Sequence, residues 1–179
     1  MQVRLINNTK SLDRWYGEFV AAYMPSKHWE IVPDLRYTIK PSESEVRPGL
    51  GILYKNLFSK SQLVHQFKYQ ADIGLETGLR HGFRYVMFYN IKMSDNLLAN
   101  LVGGGFYSWS DDFSGIQFIR AGGGFNWLLD VKHILSLNYF YGASQLNDGL
   151  WVHQGSALVQ FTIKLNKEYQ YVPAYFINF

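Results

Sequence analysis

The feature that most constrains this chain is alternation with a period of two. Over residues 29–40, Trp29, Ile31, Pro33, Leu35, Tyr37 and Ile39 fall on one face, and Glu30, Val32, Asp34, Arg36, Thr38 and Lys40 on the other. Successive side chains of a β-strand point to opposite faces, so the segment reads as a strand with one apolar and one polar side. The pattern recurs. Phe67, Tyr69 and Ile73 oppose Gln66, Lys68, Gln70 and Asp72. Phe83, Tyr85, Met87, Tyr89 and Ile91 oppose Arg80, Gly82, Arg84, Asn90 and Lys92, with Phe88 an exception on the polar side. Ala121, Gly123, Phe125 and Trp127 oppose Arg120, Gly122, Gly124 and Asn126. Leu135, Leu137 and Tyr139 oppose Ser136 and Asn138, and Val159, Phe161 and Ile163 oppose Gln160, Thr162 and Lys164. No helical periodicity is sustained. The expected class is all-β and antiparallel.

Segment length and composition narrow the class. Soluble strands usually run to about 5–6 residues, whereas a tilted membrane-spanning strand needs about 9–11, apolar toward lipid and polar inward. The segments here are of the second kind. The 179 residues are 17% aromatic and 17% charged, against about 25% charged in an average soluble domain. Yet the mean hydropathy is only −0.14, as alternation requires. The apolar content of 47% excludes disorder, and the absence of cysteine excludes a disulfide scaffold or thiolate metal site. No apolar run approaches the ~18 residues of a spanning helix. The expected fold is a closed antiparallel transmembrane β-barrel with a polar interior and about ten strands, within a range of about eight to twelve. A soluble ligand-binding β-barrel, with the same alternation inverted, is the bland alternative.

On this reading the interior polar network comprises Glu18, Glu30, Asp34, Arg36, Lys68, Asp72, Arg80, Arg84, Arg120 and Lys164. Rings near strand ends form an interface belt: Trp29, Tyr89, Trp127, Tyr141, Trp151, Tyr171 and Tyr175. Gly103, Gly105, Gly123 and Phe125 make an outward strip that could receive a partner or a lipid chain, although simple curvature is the plainer account. Tight turns are expected at 25–27, 93–96 and 130–132, and longer polar loops at 41–48, 108–115 and 143–149.

Catalytic and metal chemistry find little support. The nearest His/Ser pairs, His133 with Ser136 and His153 with Ser156, are three residues apart, which in a strand puts them on opposite faces. His65 and His81 are expected as cross-strand neighbours on the outer face, interfacial rather than metal-ligating. No cofactor is implied. The basic residues are scattered, so nucleic acid is not an expected partner.

Three stretches, Trp15 to Arg36, His65 to Tyr85 and Phe118 to Tyr139, resemble an uncharacterised family of outer-membrane β-barrels from Bacteroidota, known as a domain of unknown function. The resemblance implies a fold and an address but no activity. Phe179, with Ile177 and Tyr175 at alternate positions before it, resembles the terminal aromatic assembly signal of bacterial outer-membrane barrels. One domain is expected over residues 1–179, with 167–179 as either a C-terminal strand or a periplasmic tail. No apolar signal segment is visible near Met1, so the outer-membrane address takes the chain as a mature form. The expected role is structural or accessory, as a subunit of a larger membrane assembly. Its partners are outer-membrane lipid, lipopolysaccharide and other outer-membrane proteins. A narrow pore or lipid-handling barrel, including a lipid esterase, is the alternative.

Overall fold

The computed structural model describes residues 2–6, 11–41, 43–74, 78–111, 113–145 and 149–163. These form one antiparallel sheet in which strands follow sequence order: β1 (Gln2–Ile6), β2 (Ser11–Val20), β3 (Trp29–Ile39), β4 (Ser44–Leu57), β5 (Ser61–Gly74), β6 (Gly78–Lys92), β7 (Leu97–Trp109), β8 (Ser114–Leu128), β9 (His133–Gln145) and β10 (Trp151–Ile163). No helix occurs among the described residues. The order along the sheet is linear. Register is continuous over thirteen pairs from Trp151↔Gln145 to Ile163↔His133, and β1 shifts register once between Arg4 and Leu5.

Burial follows the alternation in an inverted sense. In β3, Glu30, Val32, Asp34, Arg36 and Thr38 are buried, while Trp29, Ile31, Pro33, Leu35 and Tyr37 are exposed. Lys55 in β4, Gln66 and Gln70 in β5, Asn100 in β7 and Asn138 in β9 are buried too, and Ile52, Phe67, Leu101 and Tyr139 are exposed. Phe88, the exception on the polar face, is 1% exposed and belongs to the enclosed set.

The chain divides into two compact units. One holds residues 1–53, 66–84 and 106–115, and its enclosed face is heavily charged. The other holds residues 54–65, 85–105 and 116–179. Its enclosed face is mainly apolar and uncharged polar: Val64, Val86, Phe88, Val102, Ile134 and Phe140, with Asn100, Asn126, Ser136 and Asn138.

Three expected loops are shorter than their polarity suggested. The 41–48 loop becomes strand from Ser44, the 108–115 loop is strand on both sides of 110–113, and the 143–149 loop is strand to Gln145. The physical reason is visible in β4. Glu45 and Arg47 point to the enclosed face and are ion-paired there, so their polarity marks an inner face rather than a turn. Pro48 and Pro33 lie inside inner strands, where each removes a ladder donor. The 25–27 turn is present: Ser26 Oγ accepts hydrogen bonds from the His28 and Trp29 backbone amides at 3.2 and 3.3 Å.

Candidate functional site

The densest chemistry is the ionic network on the enclosed face of the first unit. Four neighbouring strands supply it, because β2 to β5 each place alternate positions inward. Arg36 on β3 donates to Glu18 on β2 at 2.9 Å, and its guanidinium lies 4.3 Å from the centre of the Tyr16 ring. Lys68 on β5 bridges to Asp34 on β3 at 2.8 Å. Both side chains are nearly enclosed, so the pair exchanges water for each other. Such pairs add little net stability but are costly to break.

Gly49 makes that pair sterically feasible. It sits on β4, between the strands that carry the two charges, and a Cβ there would lie 2.7 Å from both Asp34 carboxylate oxygens. A second chain of contacts runs along β4 and β5. Arg47 reaches both Asp72 and, at 3.3 Å, Glu45. Lys40 reaches Glu45 at 2.8 Å and Glu43 at 2.9 Å, and Gln70 Nε2 donates to Asp72 at 3.4 Å. Burial, the largest influence on Lys40, acts to lower its pKa. Hydrogen bonds and charge from Glu45 and Glu43 outweigh it and hold the ammonium above its ordinary value. On β6, Arg84 is buried with its guanidinium 5.5 Å from the Phe106 ring centre. That ring occupies the space over Gly82, where any Cβ would collide with it.

The ion pairs join Arg36 to Glu18, Lys68 to Asp34 and Arg47 to Asp72, while Arg84 and Glu30 are buried in the same unit, Glu30 on the face of β3 that carries Asp34 and Arg36. Arg80 shares the inward parity of Arg84 but is exposed near the start of β6. Arg120 belongs to the other unit, half-buried with its guanidinium 4.7 Å from the Phe118 ring centre. Lys164 lies outside the described residues. Glu43, Glu45 and Arg47 were missed because they fall in the 41–48 segment, where a loop was expected, and Lys40 was read on the polar face of 29–40 but not as part of the network. Opposite charges two residues apart, as in Glu45 and Arg47, were the available signal for an inward-facing strand.

Of the ring belt, Trp29 and Trp151 open β3 and β10 and are exposed, Trp127 lies one residue from the end of β8, and Tyr89 is half-buried near the end of β6. Tyr141 is exposed but lies within β9 rather than at its end, because that strand continues to Gln145. Tyr171, Tyr175 and Phe179 lie outside the described residues. The outer histidines have other partners than expected. His81 Nδ1 meets Tyr69 Oη at 2.6 Å, with its ring also stacked on Trp109. His65 Nδ1 meets Tyr85 Oη at 2.8 Å. His153 stacks on Tyr141 and His133 on Phe161.

In the Gly103, Gly105, Gly123 and Phe125 strip, Gly105 and Gly123 sit at close strand contacts, while a Cβ at Gly103 would meet only ordinary contact, 3.9 Å from Ala121. A Cβ at Gly105 would lie 3.2 Å from the Phe118 carbonyl oxygen, and one at Gly123 would press on the Asn100 carbonyl and Leu101. Phe125 is exposed and its ring packs against Trp127. His133 and Ser136 fall on opposite faces, as do His153 and Ser156.

The chain matches no protein-family model, no curated protein and no solved structure.

Proposed function

We propose that this chain is a small outer-membrane β-barrel protein with a structural or accessory role, a subunit of a larger membrane assembly, with outer-membrane lipid and lipopolysaccharide around it. The observation that carries the reading is the inverted burial. Enclosed Glu30, Asp34, Arg36, Lys55 and Arg84 face inward, and Phe19, Leu35, Leu101, Tyr139, Val159 and Phe161 face out. In water this arrangement leaves many large apolar side chains exposed, the kind of surface that marks a membrane or partner contact, and in hydrocarbon it is the favourable one. Strands of thirteen to fifteen residues from β4 to β10 support it further, with fourteen in β4 and β5, since about 9–11 tilted residues suffice to cross. The resemblance to the Bacteroidota barrel family points to the same address.

A structural role is favoured over a pore. The ionic network pairs each of Arg36, Lys40, Arg47 and Lys68 with a carboxylate, and in the second unit Val64, Val86 and Phe88 are almost fully enclosed, a packing that leaves little room for a hydrated ion path.

The test is reconstitution of the refolded chain into phospholipid vesicles. It should migrate faster on gels before boiling than after, and co-float with the vesicles after an alkaline wash. A chain that stays soluble without detergent and shows no heat-modified band overturns the reading. In planar bilayers the accessory role expects no stepwise conductance, and regular unitary currents would favour the pore.

A further inference from the structure

In the second unit, one row of the sheet places a carboxamide on either side of a glycine. Gly124 on β8 pairs with Asn138 on β9. On the other side, the Leu128 amide donates to the Asn96 carbonyl at 2.9 Å, and a Cβ at Gly103 would lie 3.9 Å from the Ala121 Cβ. Both contacts fix the same register between β7 and β8, and that register sets Asn100 beside Gly124. Asn100 and Asn138 therefore flank a position that carries no side chain, all three within one unit. Neighbouring strands lie about 4.7–4.9 Å apart, which puts the two asparagine backbones about 9–10 Å from each other. Asn138 leans into the gap, with its Oδ1 2.7 Å from where a Gly124 Cβ would be.

Asn100 is 3% exposed and Asn138 6%. The Oδ1 of each is buried and accepts no hydrogen bond from any described residue. An enclosed acceptor in that state is costly, and native interiors rarely keep one without a water or an ion to meet it. Here two flank the same gap. The next row toward the turns adds Asn126 and Ser136, a register pair and both buried. Residues 98–102, 122–126 and 136–140 include no charged side chain and no histidine. The Lys92 charge at the end of β6 is matched by Asp95 at 2.7 Å.

We propose that the row of Asn100, Gly124 and Asn138 is a binding site for a weakly hydrated monovalent metal cation such as potassium. The donors select the ligand. Calcium and magnesium are held largely through carboxylates, and imidazole or thiolate donors favour transition metals; these segments supply neither. Potassium exchanges its hydration shell for neutral carbonyl oxygens, and the carboxamide oxygens of Asn100 and Asn138 are of that kind. The Asn126 carboxamide and the Ser136 hydroxyl supply further neutral oxygens one row away. The competing occupant is a water that donates to both orphan oxygens.

Equilibrium dialysis of the unsubstituted full-length chain, folded in detergent micelles, against radioactive rubidium as the potassium probe separates the two. Bound rubidium should saturate at a single ion per chain. Potassium chloride should displace it, and choline chloride at the same ionic strength should not. Urea unfolding gives a second readout. Beyond half-saturation the apparent unfolding constant should fall about tenfold for each tenfold rise in potassium, and choline should leave it unchanged. Asn100→Leu combined with Asn138→Leu replaces both orphan acceptors by apolar groups of similar size, an exchange that a buried site tolerates. That variant should bind no rubidium and lose the potassium dependence. No saturable rubidium binding by the unsubstituted chain overturns the proposal and makes water the occupant; undiminished binding by the double variant overturns it by placing the ion elsewhere. The assay needs a folded chain and no bilayer, so this proposal and the membrane reading fail separately.

Discussion

At the residue scale, the enclosed face is governed by a few positions where a missing side chain makes room for a charge. Gly49 is the clearest, since its absent Cβ is what the Asp34 carboxylate occupies on its way to Lys68. Gly49→Val should push that carboxylate off its partner and lower unfolding stability in lipid vesicles by about 3–5 kcal/mol, the cost of leaving one member of an enclosed ion pair uncompensated. Gly17→Ala is the matched control. A Cβ at Gly17 meets nothing within 4 Å, and the change should stay within about 1 kcal/mol. Lys68→Met should cost about as much as Gly49→Val, and most of that loss should be recovered when Asp34→Leu is added. A urea titration of the four variants checks all of this. If Lys68→Met alone were neutral, the pair would not hold the face together. Glu18, Asp34, Arg36, Lys68, Asp72 and Arg84 were legible in the sequence through parity alone, whereas Glu45 and Arg47 were hidden by the expectation of a loop. The pairing was not legible, because parity assigns a face but not the register between strands that brings Asp34 to Lys68 across the intervening β4.

At the element scale, strand existence was legible and strand ends were less so. The segments at 29–40 and 63–73 match β3 and β5 closely because their alternation contrasts rings with charges. The ends of β4, β8 and β9 were hidden because inward polar residues look like loop residues when read one at a time. Turns held by their own side chains were easier. In the turn between β8 and β9, Asp130 accepts hydrogen bonds from the Lys132 and His133 amides at 2.7 and 3.0 Å and from His133 Nδ1 at 2.7 Å. The Lys132 amide contributes most to holding its carboxyl below the ordinary value, followed by the His133 ring. A carboxyl whose folded pKa is depressed contributes stability that is present above its ordinary value of about 3.9 and is lost as pH falls through the depressed one. The Lys132 and His133 amides should therefore stay protected from exchange, after correction for intrinsic rates, at neutral and mildly acidic pH. They should open as pH drops below about 4. Asp130→Ala should show the open pattern at every pH. Equal protection in the variant at neutral pH would show that the backbone, not the carboxylate, sets the turn.

At the scale of the whole molecule, the decisive property is the sign of the alternation, and the sequence states its period but not its sign. Glu30 and Leu35 could each have been inside, since a soluble barrel and a membrane barrel share the same period-two text. Low charge and abundant rings tilt the reading toward lipid, and the burial of Glu30, Arg36 and Arg84 against the exposure of Phe19, Leu101 and Val159 gives the direction. That difference yields a substitution whose outcome depends on the solvent. Leu101 lies near the middle of β7 and is 59% exposed. In a soluble protein, Leu101→Arg would be nearly silent, within about 0.5 kcal/mol. In a bilayer it places a guanidinium among acyl chains, at a cost of about 2–4 kcal/mol near the midplane. The expected result is a marked loss of vesicle-inserted, heat-modifiable protein for Leu101→Arg. Arginine at Val131, an exposed position in a turn beyond the strand ends, should leave insertion unchanged. Equal insertion of both variants would mean that the outward face does not meet hydrocarbon, and equal loss would mean that added positive charge, rather than its depth, is what the fold rejects.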